Sequence, residues 1–296
     1  MRSYAVATIL LAALCAAGPA RGQEKLNAVA SFSILGDLVN NVGGDRLAVG
    51  TLVGPNGNAH TYSPSPADAR KLAGANIVFV NGLGFEGWLE RLIAASGAKA
   101  PVGVVSKGIR PRERADEHGH GAIDPHAWQS VANVKVYVAN IRDALVAADP
   151  AAKAIYDANA ASYLAKLDAL EQDVRNVVAR IPADQRRVIT SHNAFGYFED
   201  AYGIRFSAPQ GVATDAEASA KDVAAIIRQI KQQKAAGVFL ENVTDPRLVR
   251  QIASETGTKV GGTLYSDALT ERSGDAPSYI DLIRHNVKQL AGIAAH

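Results

Sequence analysis

The 296-residue chain carries 31 Lys and Arg against 29 Asp and Glu, a formal net charge of +2, and one cysteine, Cys15. The near balance excludes the basic excess that drives nucleic-acid binding. A lone cysteine excludes both a disulfide framework within the chain and a multi-thiolate metal site.

The chain opens on a segment that does not belong to the fold. Arg2 precedes an apolar run from Ala5 to Ala17, too short to span a membrane comfortably, and Ala20-Arg21-Gly22 supplies the small residues of a cleavage site. Residues 1–22 therefore read as a cleavable signal peptide. A lipoprotein signal requires a small residue before its cysteine, and Leu14 stands there. A soluble exported protein is expected rather than a lipid-anchored one. No later apolar run approaches the length of a transmembrane helix.

Residues 23–148 alternate short apolar strands with helices. Strands are expected at 26–31, 47–53, 77–80 and 102–105, and helices at 33–42, 65–72, 85–95 and 131–148. That alternation predicts an α/β lobe with a mostly parallel sheet. Residues 54–64 are dense in turn formers, and 110–121 are charged and unpatterned, expected to form a mobile loop. Residues 149–181 then read as one long helix. Asp149 is placed to cap it, Pro150 suits its first position, and Tyr156, Tyr163, Leu167, Leu170, Val174, Val177 and Ile181 form an apolar stripe. At ~1.5 Å per residue it would span roughly 45 Å, enough for a rigid strut between lobes. Residues 182–296 repeat the βα plan, with strands at 188–190, 204–208, 237–240 and 260–264. The expectation is an α/β fold of two lobes, each with a central, mostly parallel β-sheet flanked by helices, joined by one long rigid linking α-helix.

Histidine placement carries the chemistry. His285 and His296 lie on or beyond the last helix and read as solvated; His118 and His120 lie in the charged loop. His60, His126 and His192 each sit just after a strand or at a helix entry, and Asp267 follows the last strand. Ligands of open α/β sheets bind beyond the carboxyl ends of strands. Three imidazoles and one carboxylate suit a transition metal and would fill a tetrahedral zinc shell with no open position. On spacing alone the alternative stays open that these are loop histidines satisfied by backbone and water. Asp124, Glu217 and Glu241 are candidates to accept a ligand histidine's second N–H, or else are exposed or capping acids.

Six words in order sharpen this reading: Asn58-Ala59-His60-Thr61-Tyr62 with Pro64 and Pro66, Asp124-Pro125-His126-Ala127-Trp128, Ser191-His192 with Ala194-Phe195-Gly196-Tyr197-Phe198, Ser219-Ala220-Lys221-Asp222, Leu264-Tyr265-Ser266-Asp267-Ala268-Leu269, and the ending at residues 280–286. Together they resemble the zinc/manganese family of periplasmic solute-binding proteins of the ZnuA/TroA type. The resemblance runs from about Leu26 to the end of the chain. It implies that His60, His126, His192 and Asp267 are the metal ligands. The third position is Glu in many manganese or iron members and His in zinc members, so Zn2+ is expected and Mn2+ less so. It further implies a non-enzymatic periplasmic monomer that delivers metal to the membrane permease of an ABC importer. The family usually carries Asp where Asn58 stands, and its zinc members often have a longer, His-rich loop where only His118 and His120 occur. The alternatives are a manganese or iron carrier of the same class, a zinc hydrolase with Asp267 as general base, and a metal-free adhesin.

Overall fold

The computed structural model describes residues 25–115, 121–233 and 235–294. In the first lobe, strands β1 (Leu26–Phe32), β2 (Leu47–Val53), β3 (Ile77–Val80) and β4 (Val102–Val104) form a parallel sheet in the order β2-β1-β3-β4. Helices α1 (Ser33–Gly43), α2 (Pro66–Ala73) and α3 (Leu89–Ser96) alternate with them. The four residues of β3 are buried throughout, as a strand covered on both faces requires. Ser65 caps α2 in a reciprocal box with Asp68, and Pro66 follows in the first turn.

Within the segment expected to be a loop, residues 112–115 form a strand instead. β5 (Arg112–Ala115) pairs antiparallel with β6 (Gly121–Asp124), setting Arg112 opposite Asp124. His118 and His120 lie outside the described residues. The helix expected at 85–95 also begins later. Gly82, Leu83 and Gly84 all have positive φ, and the buried Glu86 carboxylate turns back to accept from the Asn81 and Gly82 N–H groups and from Ser31 Oγ. A side chain spent on those donors holds the chain in a turn until Leu89.

After α4 (Val131–Ala148) comes the long helix, α5 (Lys153–Ala179), entered through a single 3-10 turn at Pro150–Ala152. Asp149 holds the N-cap position of that turn, ahead of Pro150, but its side chain makes no capping hydrogen bond. Its carboxylate lies 2.5 Å from the Arg46 guanidinium and accepts from Tyr156 Oη at 3.1 Å, because a charge-assisted pair outbids a backbone N–H. The stripe is buried at Tyr156, Ala160, Tyr163, Leu167, Leu170, Val174 and Val178, while Val177 is only partly covered. The helix packs on α1 and α4 of the first lobe and on the closing helix of the second.

The second lobe contains β7 (Arg187–Ile189), α6 (Gly196–Tyr202), β8 (Arg205–Ser207), α7 (Ala220–Gln233), β9 (Gly237–Glu241), α8 (Pro246–Thr256), β10 (Val260–Leu264) and α9 (Tyr279–Ala294). Its parallel sheet has the order β10-β9-β7-β8, the first lobe's order read in reverse. The lobes thus share one strand topology. Gly203 and Gly257 end α6 and α8 in the left-handed conformation, where a Cβ would be strained. His285 is not solvated: it is half-buried, with Nε2 2.9 Å from the Thr263 carbonyl.

One apolar core runs through both lobes and α5. A smaller cluster around Ile189, Ile226, Val238 and Ile252 lies on the other face of the second sheet. Neighbouring β9 residues illustrate the period of two, with Val238 in the small cluster and Phe239 in the main core. Buried hydrogen bonds also join the lobes. Trp128 Nε1 and Gln129 Nε2 donate to the Ser266 carbonyl at 2.9 and 2.7 Å, and Tyr279 Oη donates to the Trp128 carbonyl at 2.8 Å.

Candidate metal centre

Four connections deliver one side chain each to the groove between the lobes. His60 comes from the β2–α2 connection, His126 from the turn after β6, His192 from the turn after β7, and Asp267 from the turn after β10. His126, His192 and Asp267 are fully buried, and the His60 side chain is 4% exposed. His60 Nε2 lies 3.2 Å from His126 Nε2 and 3.4 Å from Asp267 Oδ2. Asp267 Oδ1 is 3.5 Å from His126 Nε2, and Oδ2 is 3.1 Å from His192 Nε2. Four donors bonded at 2.0–2.1 Å to one tetrahedral ion stand about 3.3 Å apart. These four separations bracket that value, and all four donors lie within 4.8 Å of one another. Both Asp267 oxygens and His192 Nε2 are buried without a well-aligned hydrogen bond. Buried polar atoms ordinarily find partners, and these converge on one point that a cation would occupy.

Two of the acids singled out in the sequence stand behind histidine rings of the cluster. Asp124 Oδ1 accepts from His126 Nδ1 at 2.8 Å and from its backbone N–H at 3.0 Å. That contact puts the His126 proton on Nδ1 and leaves the Nε2 lone pair facing the cluster. Glu241 Oε1 accepts the backbone N–H groups of Ser191 and His192 at 2.7 and 2.9 Å. Its Oε2 lies 2.7 Å from His192 Nδ1, within ion-pair range though off the line of a straight hydrogen bond. Glu217 does neither. It is exposed, in the β8–α7 connection, and its electrostatic neighbour is Arg247.

Burial, the largest influence on each of these groups, opposes charge on both sides, yet the cluster overrides it at two positions. The Glu241 and Asp267 carboxylates hold the His192 pKa well above the ordinary 6.5. His192 and His126 in turn hold the Asp267 carboxyl well below its ordinary 3.8. At His60 burial prevails and lowers the pKa, with Asp267 only partly compensating.

Sequence reasoning missed the groups that brace these turns. Asn81, at the carboxyl end of β3, donates through Nδ2 to the Pro125 carbonyl and accepts from Tyr137 Oη. Arg112 donates to Asp200 at 2.9 Å and stands 3.7 Å from Asp124 Oδ2. Gly196 makes that crossing possible, since a Cβ there would collide with both the guanidinium and the carboxylate. Asn81 was findable by the strand-end rule that found the histidines; Arg112, in a charged segment without pattern, was not. A catalytic zinc site needs an open position and a base held clear of the metal. Asp267 instead lies among the ring nitrogens, which removes the hydrolase alternative.

Three known proteins illustrate the similarity. The iron-binding protein YfeA of Yersinia pestis is 34% identical over 283 residues, covering 96% of this chain and 91% of the relative. The manganese-binding lipoprotein MntA of Halalkalibacterium halodurans is 36% identical, covering 94% of this chain and 92% of the relative. Among solved structures, the periplasmic zinc-binding protein TroA of Treponema pallidum superposes with a TM-score of 0.86 at 26% identity, covering 92% of this chain and all of that one. The family model for the periplasmic component A of the zinc-uptake complex matches residues 28–293. By that match and by relatives above 30% identity over nearly its whole length, this chain belongs to the ZnuA family of metal-binding solute-binding proteins of ABC transporters, which are not enzymes.

Proposed function

We propose that this chain is a periplasmic zinc carrier, holding Zn2+ through His60, His126, His192 and Asp267 and passing it to the permease of an ABC importer. The observation that carries the reading is the buried convergence of three imidazole nitrogens and one carboxylate within 4.8 Å of one another, with both Asp267 oxygens and His192 Nε2 lacking a hydrogen-bond partner. Nitrogen-rich shells favour zinc, whereas manganese prefers oxygen. Four protein donors leave no place for a reacting water, as suits cargo that must be held and released intact. Asp124 and Glu241 fix the rings of His126 and His192.

A second reading, manganese or iron as the cargo, draws support from Asp267. Both of its oxygens face the ring nitrogens, so bidentate binding would raise the coordination number and the oxygen share. YfeA and MntA are named for those metals. Metal analysis of the purified protein, followed by competition between Zn2+ and Mn2+, decides. Zinc retained against excess manganese supports the first reading, and the reverse order supports the second.

In this reading residues 1–22 are a leader removed on export, residues 23–148 and 182–296 are the two lobes, and 149–181 link them. The mature protein acts as a soluble monomer. Among the described residues no helix is long and apolar enough to cross a membrane. His118 and His120 serve as an auxiliary collecting arm. Replacing both histidines with alanine then slows transfer from a metal donor without changing equilibrium affinity, and unchanged transfer makes the segment a spacer instead.

A further inference from the structure

The loop that carries His60 is tied to the opposite lobe by a side chain that the metal shell does not use. Asn58 Oδ1 accepts the His60 backbone N–H at 2.9 Å. Its Nδ2 donates across the groove to Thr214 Oγ1 at 2.8 Å and to the Val243 carbonyl at 3.2 Å. Those partners belong to separate connections of the second lobe, β8–α7 and β9–α8. Asn58, Thr214 and Val243 line a cleft of about 500 Å3 that also reaches Thr61 and Ser191, the chain neighbours of His60 and His192. His60 is the cluster member with measurable exposure, and its chain neighbour Thr61 lines this cleft.

We propose that Asn58 is a positioning residue that latches the His60 loop to the second lobe and thereby sets the rate at which metal leaves. This rests on the ligand reading above. The chemistry requires an amide. An ionised carboxylate at position 58 would still accept from the His60 N–H but would have nothing to donate. Thr214 could rotate its hydroxyl to face a carboxylate. The Val243 carbonyl can only accept, so that half of the latch would turn repulsive.

The test is stopped-flow release of Zn2+ from the full mature chain into an excess of a chelating dye. Asn58→Ser keeps a short acceptor for the His60 N–H and removes the reach across the groove without adding charge. It should release Zn2+ about tenfold faster at unchanged stoichiometry, with the melting temperature lowered by no more than about 5 °C, tenfold being about 1.4 kcal/mol of lost hydrogen bonding. Asn58→Asp should also release faster, despite a negative charge that attracts the ion. Thr214→Val should have a smaller effect, and none on top of Asn58→Ser. In the metal-free proteins, amide exchange across residues 211–218 should rise in Asn58→Ser. Raised exchange with release within twofold of wild type overturns the latch while leaving the metal site standing. A wild type that takes up neither Zn2+ nor Mn2+ overturns the ligand reading itself.

Discussion

At the base of the groove, Trp128 and Gln129 share the Ser266 carbonyl and Ser33 Oγ accepts the Leu269 N–H at 3.0 Å, all buried against a continuous apolar core. At the mouth, the lobes meet through exposed or half-buried polar groups, Asn58 with Thr214 and Val243, and Asn242 with Asn56 at 3.2 Å. The histidines divide the same way. His126 and His192 are fully buried, each with a carboxylate at its Nδ1, whereas His60 rests edge-on against Phe85 on a loop. Buried bonds in a dry core are costly to break, and half-exposed ones exchange with water. A carrier built this way holds two-thirds of its imidazoles in a fixed frame and closes the shell with a movable one.

Removing a framed member of the proposed metal cluster should have the largest effect. Either His192→Ala or Asp267→Ala should lower metal affinity by more than about a hundredfold, beyond the range seen for outer partners. Asp267→Ala also strands the His192 charge that Asp267 balances, so its metal-free form should melt lower. Titration with a competing chelator and a thermal melt check both outcomes. If the fixed frame matters as argued, Asp124→Asn and Glu241→Gln should each cost about 10–100-fold in affinity, although neither atom would touch the ion. Affinity within threefold of wild type for both would show that the rings need no such support.

How much of this was readable beforehand depends on whether local chemistry decided the matter. Ser65 with Asp68, Gly203 and Gly257 mark helix ends because the caps act within a few residues, and the all-apolar run of β3 can only be a buried strand. The failures each involve a distant partner. Asp149 looks like a cap until Arg46, from a turn far back in the chain, takes its carboxylate. Phe85 and Glu86 look helical until Glu86 reaches back to β1 and the end of β3. In the β5–β6 pair, β5 is three charged residues and an alanine and β6 is only four residues long, so neither shows an apolar period. Within the site, the strand-end rule separates Glu241, which ends β9, from Glu217, which follows no strand directly.

A smaller effect, and a graded one, is expected with pH. His192 has its folded pKa raised, so in the metal-free protein it keeps a proton above the ordinary 6.5. That proton stabilises the metal-free fold fully below the unfolded value, and the contribution is lost as pH rises through the folded one. Metal must displace the same proton. Affinity should therefore climb with pH through and beyond 6.5, approaching about tenfold per unit for each proton released, while metal-free stability changes in the opposite sense. Asp267, held well below its ordinary value, stays ionised and adds no slope in this window. Calorimetry in buffers of differing ionisation heat counts the protons. Zero release at neutral pH would mean that His192 is already neutral and that Glu241 does not do what its position suggests.

The smallest expected change is in the relation between the lobes. Domain closure about a hinge needs a few residues able to absorb a large change in φ and ψ. Here α5 runs for 27 residues from Lys153 to Ala179 and packs on α1, α4 and α9 along its stripe, so bending it would unpack residues of both lobes. The bonds from Trp128 and Gln129 to Ser266 would break in the same motion. Metal uptake should therefore leave α5 superposable within about 1 Å, as for preorganised partners. The change should concentrate in the His60 loop and in the β8–α7 and β9–α8 connections that Asn58 joins. Structures of one preparation with and without Zn2+ settle the point. A rotation of tens of degrees with a kink inside α5 would place the flexible element at the base of the groove and reverse the contrast drawn between base and mouth.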